Sequence, residues 1–83
     1  MIPLYGFFRG DTVGLLVLAD EDDSIERLGA RLRASARIRV GHRDGRFEVI
    51  YAGRRLDLHA TVRSAGMTVF DRFDVLDESE LST

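Results

Sequence analysis

One helical stripe stands in a chain otherwise patterned for strands, and this limits the possible folds more than any other feature. In DEDDSIERLGARLRASA, Ile25, Leu28, Leu32 and Ala36 recur at helical spacing, with Arg27, Arg31 and Arg33 off the stripe. Asp23 followed by Glu26 fits a capping box, and the acidic residues Asp20 to Asp23 suit the positive end of the helix dipole. Before this segment, Met1 to Phe8 (MIPLYGFF) is rich in β-formers, Arg9 to Thr12 (RGDT) is a turn, and Val13 to Ala19 forms a second strand. These make an N-terminal hairpin. After the helix, ARIRVGHRDGRFEVIYA alternates: Ile38 and Val40 face one way, Arg37 and Arg39 the other. Arg43 to Gly45 turns the chain, and Phe47, Val49 and Tyr51 resume the alternation. Gly53 leads into a short strand from Arg54 to Leu58, and TVRSAGM is a compact turn with room for one helical turn. Arg72 to Asp77 (RFDVLD) is the last strand, with Phe73 and Val75 on one face, and residues 78–83 (ESELST) read as a frayed acidic tail. A chain of 83 residues with one helix and several strands is expected to be one α+β domain over residues 1–83, two layers thick.

Composition narrows the function. There is no cysteine, which removes disulfides and thiolate metal sites. A net charge of -2 argues against nucleic acid or an anionic membrane as partner. All 12 basic residues are arginine, so no side-chain amine is offered for an isopeptide bond or a Schiff base. Asp11 interrupts the apolar start and the apolar run Gly14 to Ala19 is too short to span a bilayer, so a cytoplasmic location is expected. The acidic run lacks the glycine and distal glutamate of a calcium loop and reads as a solvated helix cap.

Catalysis needs convergent groups, and few are present. His59 has Asp57 two positions away, which on an extended chain points to the same side. The pair still needs a nucleophile or a metal, and the hydroxyls of Thr61 and Ser64 sit where turn residues belong. His42 precedes the RDG turn and reads as a loop residue. The glycines fall singly and form no phosphate loop. The chain is not expected to be an enzyme on its own, nor to hold a metal or cofactor.

What it carries instead is a surplus of apolar strand surface. In the second strand Leu15 and Val17 face one side, and Leu16 and Leu18 the other. Tyr5 and Phe7 oppose Leu4 and Phe8. Val49 and Tyr51 point inward, leaving Ile50 outward, and Leu76 lies outward beside Phe73 and Val75. One helix covers one face of a sheet, while strands apolar on both faces are normally covered on both. The missing cover is expected from another chain. The expected contacts are Leu16, Leu18, Ile50 and Leu76, with arginines such as Arg54 at the rim.

Two resemblances follow from particular residues. VIYAGRRLDLHATVRSAGMTVFDRFDVL, Val49 to Leu76, resembles the second half of ubiquitin and its relatives in its Ala-Gly turn, basic residue and leucine, Thr-Val start to the compact turn, apolar Met67 and final alternating strand. This implies a ubiquitin-like β-grasp: a mixed sheet with one helix on one face. It also puts Ile50 and Leu76 where such domains carry an apolar recognition patch. A conjugated modifier or sulfur carrier needs a terminal Gly-Gly. The ending ESELST implies no covalent conjugation.

Nearly the whole chain resembles the toluene-4-monooxygenase system protein B family, the small γ subunit of bacterial multicomponent diiron monooxygenases. The motifs are PLYGFFRGD, LLVLAD and DDSIERLGARL, the hairpin VGHRDG from Val40 to Gly45, and the strand FEV. Thr61-Val62, Gly66-Met67 and Asp74-Val75 complete them. The resemblance implies a non-catalytic subunit that supports assembly of a large hydroxylase subunit holding the diiron centre. A reductase, a ferredoxin and an effector protein would complete the electron path, and the substrate would be an aromatic or alkene hydrocarbon. The alternative is a free-standing ubiquitin-like adaptor, for example of a bacterial secretion system.

Overall fold

The structure is a computed structural model, and it describes residues 1–8, 14–40 and 46–77, with no side-chain detail for residues 36–40 and 77. Its elements are β1 (Ile2–Phe8), β2 (Leu15–Ala19), α1 (Ile25–Val40), β3 (Phe47–Tyr51), β4 (Arg54–Arg55), α2 (Val62–Ala65) and β5 (Arg72–Asp77). The strands form one five-stranded sheet in the order β2-β1-β5-β3-β4. β1 and β5 run parallel at its centre, and the other pairings are antiparallel. This is the mixed β-grasp sheet that the sequence implied. The RGDT turn, Val13, the RDG turn with His42, and the acidic tail 78–83 lie outside the described residues.

Alternation decides which side chains form the core. Leu4 and Phe8 of β1, Val17 and Ala19 of β2, Val49 of β3, and Phe73 and Val75 of β5 point to one face. Ile25, Leu28 and Leu32 of α1 cover that face, and Val62 and Met67 close one end. Gly6 lets the layers meet. A Cβ there would lie 2.7 Å from Phe73 Cζ and 2.9 Å from Leu32 Cδ1, both on fully buried side chains.

The helix differs from the sequence expectation at both ends. It continues to Val40, so Ile38 and Val40 belong to α1 and not to a strand. Arginine and alanine are strong helix formers, and no proline or glycine interrupts residues 30–40, so an established helix propagates through ARIRV. At its start the cap is Ser24, not Asp23: Ser24 Oγ accepts from Arg27 N–H at 3.1 Å. The two preceding N–H groups, of Ile25 and Glu26, donate to the carbonyls of Ala60 (2.8 Å) and Leu58 (3.0 Å). A distant loop therefore satisfies donors that would otherwise face water or a side chain.

That arrangement buries Asp23, which is only 9% exposed and is not part of a solvated acidic face. Its Oδ2 accepts from Asp20 N–H at 2.9 Å and from Arg31 Nη1 at 2.6 Å. The same Arg31 nitrogen donates to Leu18 O at 3.1 Å, tying helix, loop and strand together. Asp20, Glu21 and Asp22 are exposed, as expected.

The β3–β4 hairpin has two turn residues, Ala52 and Gly53, with φ of 53° and 77°. Positive φ at both positions is what a two-residue hairpin turn needs to match strand twist. The strand expected over Arg54 to Leu58 is cut to Arg54–Arg55, with one more bond from Leu56 N–H to Val49 O at 2.9 Å, because the chain then turns at Asp57 to reach the start of α1. α2 is the single helical turn allowed for in TVRSAGM. Thr61 Oγ1 accepts from Ser64 N–H and Ser64 Oγ from Thr61 N–H, each at 3.0 Å, a reciprocal cap.

Candidate interaction surface

Asp57, Thr61 and Ser64, weighed for chemistry in the sequence, are engaged in local structure. Asp57 Oδ1 accepts from the His59 backbone N–H at 2.8 Å within a turn, so the two residues do not share an extended face. Ser64 and Thr61 cap each other across α2. Among the described residues no three or more His, Asp or Glu side chains converge in a way that could hold a metal ion. An open cleft between Glu26, Phe47, Leu56 and Leu58 carries Glu48 and Arg55, which pair at 3.1 Å, and no nucleophile.

The sheet face opposite α1 is different. Register places Leu18 across from Pro3, and Leu16 across from Tyr5. Leu16 and Leu18 are 55% and 53% exposed, and Tyr5 41%. A fifth side chain, absent from the sequence expectation, continues this surface: Phe70, 58% exposed, stacks on Tyr5 with ring centroids 5.8 Å apart and planes 26° from parallel. Leu18, Leu16, Pro3, Tyr5 and Phe70 thus make one apolar surface running from the edge strand β2 over β1 to the loop before β5. Val69, beside Phe70 in that loop, is also exposed.

The loop is held by Asp71. Its Oδ2 accepts from Tyr51 Oη at 2.6 Å, from Thr68 N–H at 2.9 Å and from Thr68 Oγ1 at 3.2 Å. Asp71 N–H donates back to Thr68 O at 3.0 Å. The Tyr51 hydroxyl and the Thr68 N–H hold the Asp71 carboxyl below its ordinary range, burial opposing them. The same bond to Asp71, with burial, pushes the Tyr51 phenol up. On the backbone, Phe70 N–H donates to Pro3 O at 2.7 Å and Tyr5 N–H to Asp71 O at 2.9 Å, carrying the β1–β5 ladder into the turn. Between these restraints Phe70 sits at φ 65°, a left-handed conformation that bulky residues avoid.

The five expected contact residues do not form one patch. Leu16 and Leu18 lie on the apolar surface just described. Ile50 on β3 and Leu76 on β5 are half-buried on the same face, opposite Asp74 and Glu48 respectively. A polar strip separates the two groups: the Arg72 guanidinium lies 4.0 Å from the centroid of the Phe7 ring, and Arg72 Nε donates to Asp74 Oδ1 at 3.1 Å. Arg54 stands opposite Tyr51, and Arg55 is the residue across from Ile50. A two-residue turn fixes that register, and a strand drawn from Arg54 to Leu58 alone could not show it.

No helix among the described residues is long and apolar enough to cross a membrane. Residues 1–76 match the family model for toluene-4-monooxygenase system protein B. Comparison with curated proteins gives no match. Among solved structures, the chain superposes on a chain of the toluene 4-monooxygenase HD complex with the inhibitor 4-bromobenzoate. The TM-score is 0.82 at 22% identity, covering 93% of this chain and 98% of that one. It also superposes on Caldiarchaeum subterraneum ubiquitin, with a TM-score of 0.76, 15% identity, and coverage of 93% and 92%. At these identities the likenesses establish a ubiquitin-like fold.

Proposed function

The chain belongs to the toluene-4-monooxygenase system protein B family, and from that premise we propose that it is the non-catalytic γ-type subunit of a diiron hydroxylase, docking on the large subunit through the sheet face opposite α1. It is a small component of a multicomponent monooxygenase and not itself the catalyst. The described residues do not fit an iron site, because no cluster of carboxylates and imidazoles converges on any point. The two irons and the activation of dioxygen then fall to the large subunit, and the substrate is an aromatic or alkene hydrocarbon.

The observation that carries this reading is the row Leu16, Leu18, Tyr5 and Phe70, which a lone domain leaves in water. Covering the half of each side chain that remains exposed would contribute about 1 kcal/mol apiece. Contiguous apolar surface of this kind marks a binding site more often than scattered leucines do. Ile50 and Leu76 extend the contact on the far side of the polar strip, and Arg55, across from Ile50, takes the rim position expected of Arg54. The reading is tested by co-expression with the large subunit. Leu16→Asp should abolish co-purification while the variant keeps its far-ultraviolet circular dichroism, and unchanged assembly would refute it. Capture of a secretion component in place of the large subunit would favour the ubiquitin-like adaptor.

A further inference from the structure

Phe70 combines two properties that the fold does not require. Its backbone is left-handed, and its large apolar side chain is more than half exposed. Glycine or asparagine would take φ 65° with less strain. The backbone bond from Phe70 N–H to Pro3 O needs no side chain at all. Ala52, the other described non-glycine residue at positive φ, is small and sits in a hairpin turn that demands the conformation. At Phe70 the strain is imposed by neighbours: Asp71 is fixed by Tyr51 and Thr68, and the backbone on both sides is pinned to β1. Strain kept by surrounding structure, with an aromatic ring displayed on top of it, is the arrangement of a pre-organised contact.

We propose that Phe70 is the anchor of the docking surface, inserting as a rigid aromatic knob into an uncharged apolar pocket of the large subunit, and that Asp71 is the positioning residue that holds it ready. The inference rests on the γ-subunit reading above. Three observations support an apolar pocket as occupant. The row leading to Phe70 is apolar throughout. It is continuous with the Leu16–Leu18 surface through Tyr5, which touches both sides. The nearest charges on this face of β5, Arg72 and Asp74, are engaged with each other and with Phe7, so the row offers a partner no ionic contact of its own. Rigid aromatic side chains at fixed positions dominate interface energetics because little side-chain freedom is lost when they bind.

The test is competitive incorporation. A tagged variant and the untagged wild-type chain are co-expressed with the large subunit, and the ratio recovered in the complex reads relative affinity. Phe70→Gly should be incorporated at least about tenfold less than wild type, the effect of losing an anchoring residue. In isolation its urea midpoint should equal or exceed that of wild type, because the strain is relieved. Phe70→Asn should behave in the same way. Asp71→Asn should reduce incorporation several-fold in the wild-type background and have no further effect in the Phe70→Gly background, since it acts through Phe70. If Phe70→Gly competes equally while Leu16→Asp is excluded, the anchor falls and the γ-subunit reading stands. If wild type itself is not incorporated, both fall. A Phe70→Gly chain whose midpoint drops in step with its incorporation would assign Phe70 to folding and overturn the proposal. An Asp71→Asn effect undiminished in the Phe70→Gly background would remove the positioning role.

Discussion

Replacing Asp23 with asparagine keeps the shape of the side chain and removes its charge. The carboxylate accepts from Asp20 N–H at 2.9 Å and from Arg31 Nη1 at 2.6 Å, and only 9% of its surface meets water. A hydrogen bond between charged partners contributes about 1.5–3 kcal/mol, and breaking a fully buried pair costs about 3–5 kcal/mol. Arg31 is 37% exposed, so it regains water when the pair is lost and solvent screens the interaction. The lower range applies, and Asp23→Asn should cost about 2 kcal/mol at neutral pH, or about 8–16 °C in Tm for a domain of this size. The pH dependence has a fixed sign. The Asp20 N–H, and after it Arg31, hold the Asp23 carboxyl below the ordinary 3.8 against the opposing effect of burial. A depressed native pKa contributes stability that is present above the unfolded value and lost as pH falls through the native one. Urea titrations of both proteins at a series of pH values should show a gap that is complete at pH 7 and shrinks in acid, below about pH 4. A gap under about 0.5 kcal/mol at neutral pH, or one that stays constant in acid, would refute the pairing as a source of stability.

Two backbone positions give further predictions. Gly6→Ala should destabilise by about 1–3 kcal/mol although alanine is normally the better strand residue, because its Cβ would overlap buried Phe73 and Leu32; a thermal melt at or above wild type would show that the core yields there. Ala52→Asn should raise the urea midpoint by the equivalent of about 0.5–1 kcal/mol, since asparagine tolerates φ 53° better than alanine; a lowered midpoint would mean that the turn is not the source of strain.

Local pattern carried most of the architecture. Period-two alternation located β1, β2, β3 and β5 and sorted Val17, Val49, Phe73 and Val75 inward, because one buried face imposes that pattern directly. The compact turn in TVRSAGM and the turn at Gly53 were equally readable, being set within a few residues. The errors arose where distant contacts decide. ARIRV satisfies strand alternation on paper, but it follows an established helix and continues it. Asp23 resembles any acidic cap until the loop of Leu58 and Ala60 takes over the helix N–H groups and Arg31 closes on its carboxylate. Of the candidate surface, Leu16 and Leu18 were legible as the outward half of a doubled apolar strand. Phe70 was not, because its exposure depends on a left-handed backbone set by Tyr51, 19 positions earlier in the sequence, through Asp71.

The position of β5 between β1 and β3 has a consequence for synthesis. β5 joins the hairpin of β1 and β2 to the hairpin of β3 and β4. A nascent polypeptide emerging in order can form each hairpin, but it leaves a slot between them until residues 72–77 arrive. Native assembly is therefore a late insertion event that follows translation of almost the entire domain, and it requires the slow search characteristic of pairings remote in sequence. The same slot makes the protein suited to fragment complementation: a molecule truncated before Arg72 should recover its shape when a synthetic peptide carrying RFDVLD is supplied in trans.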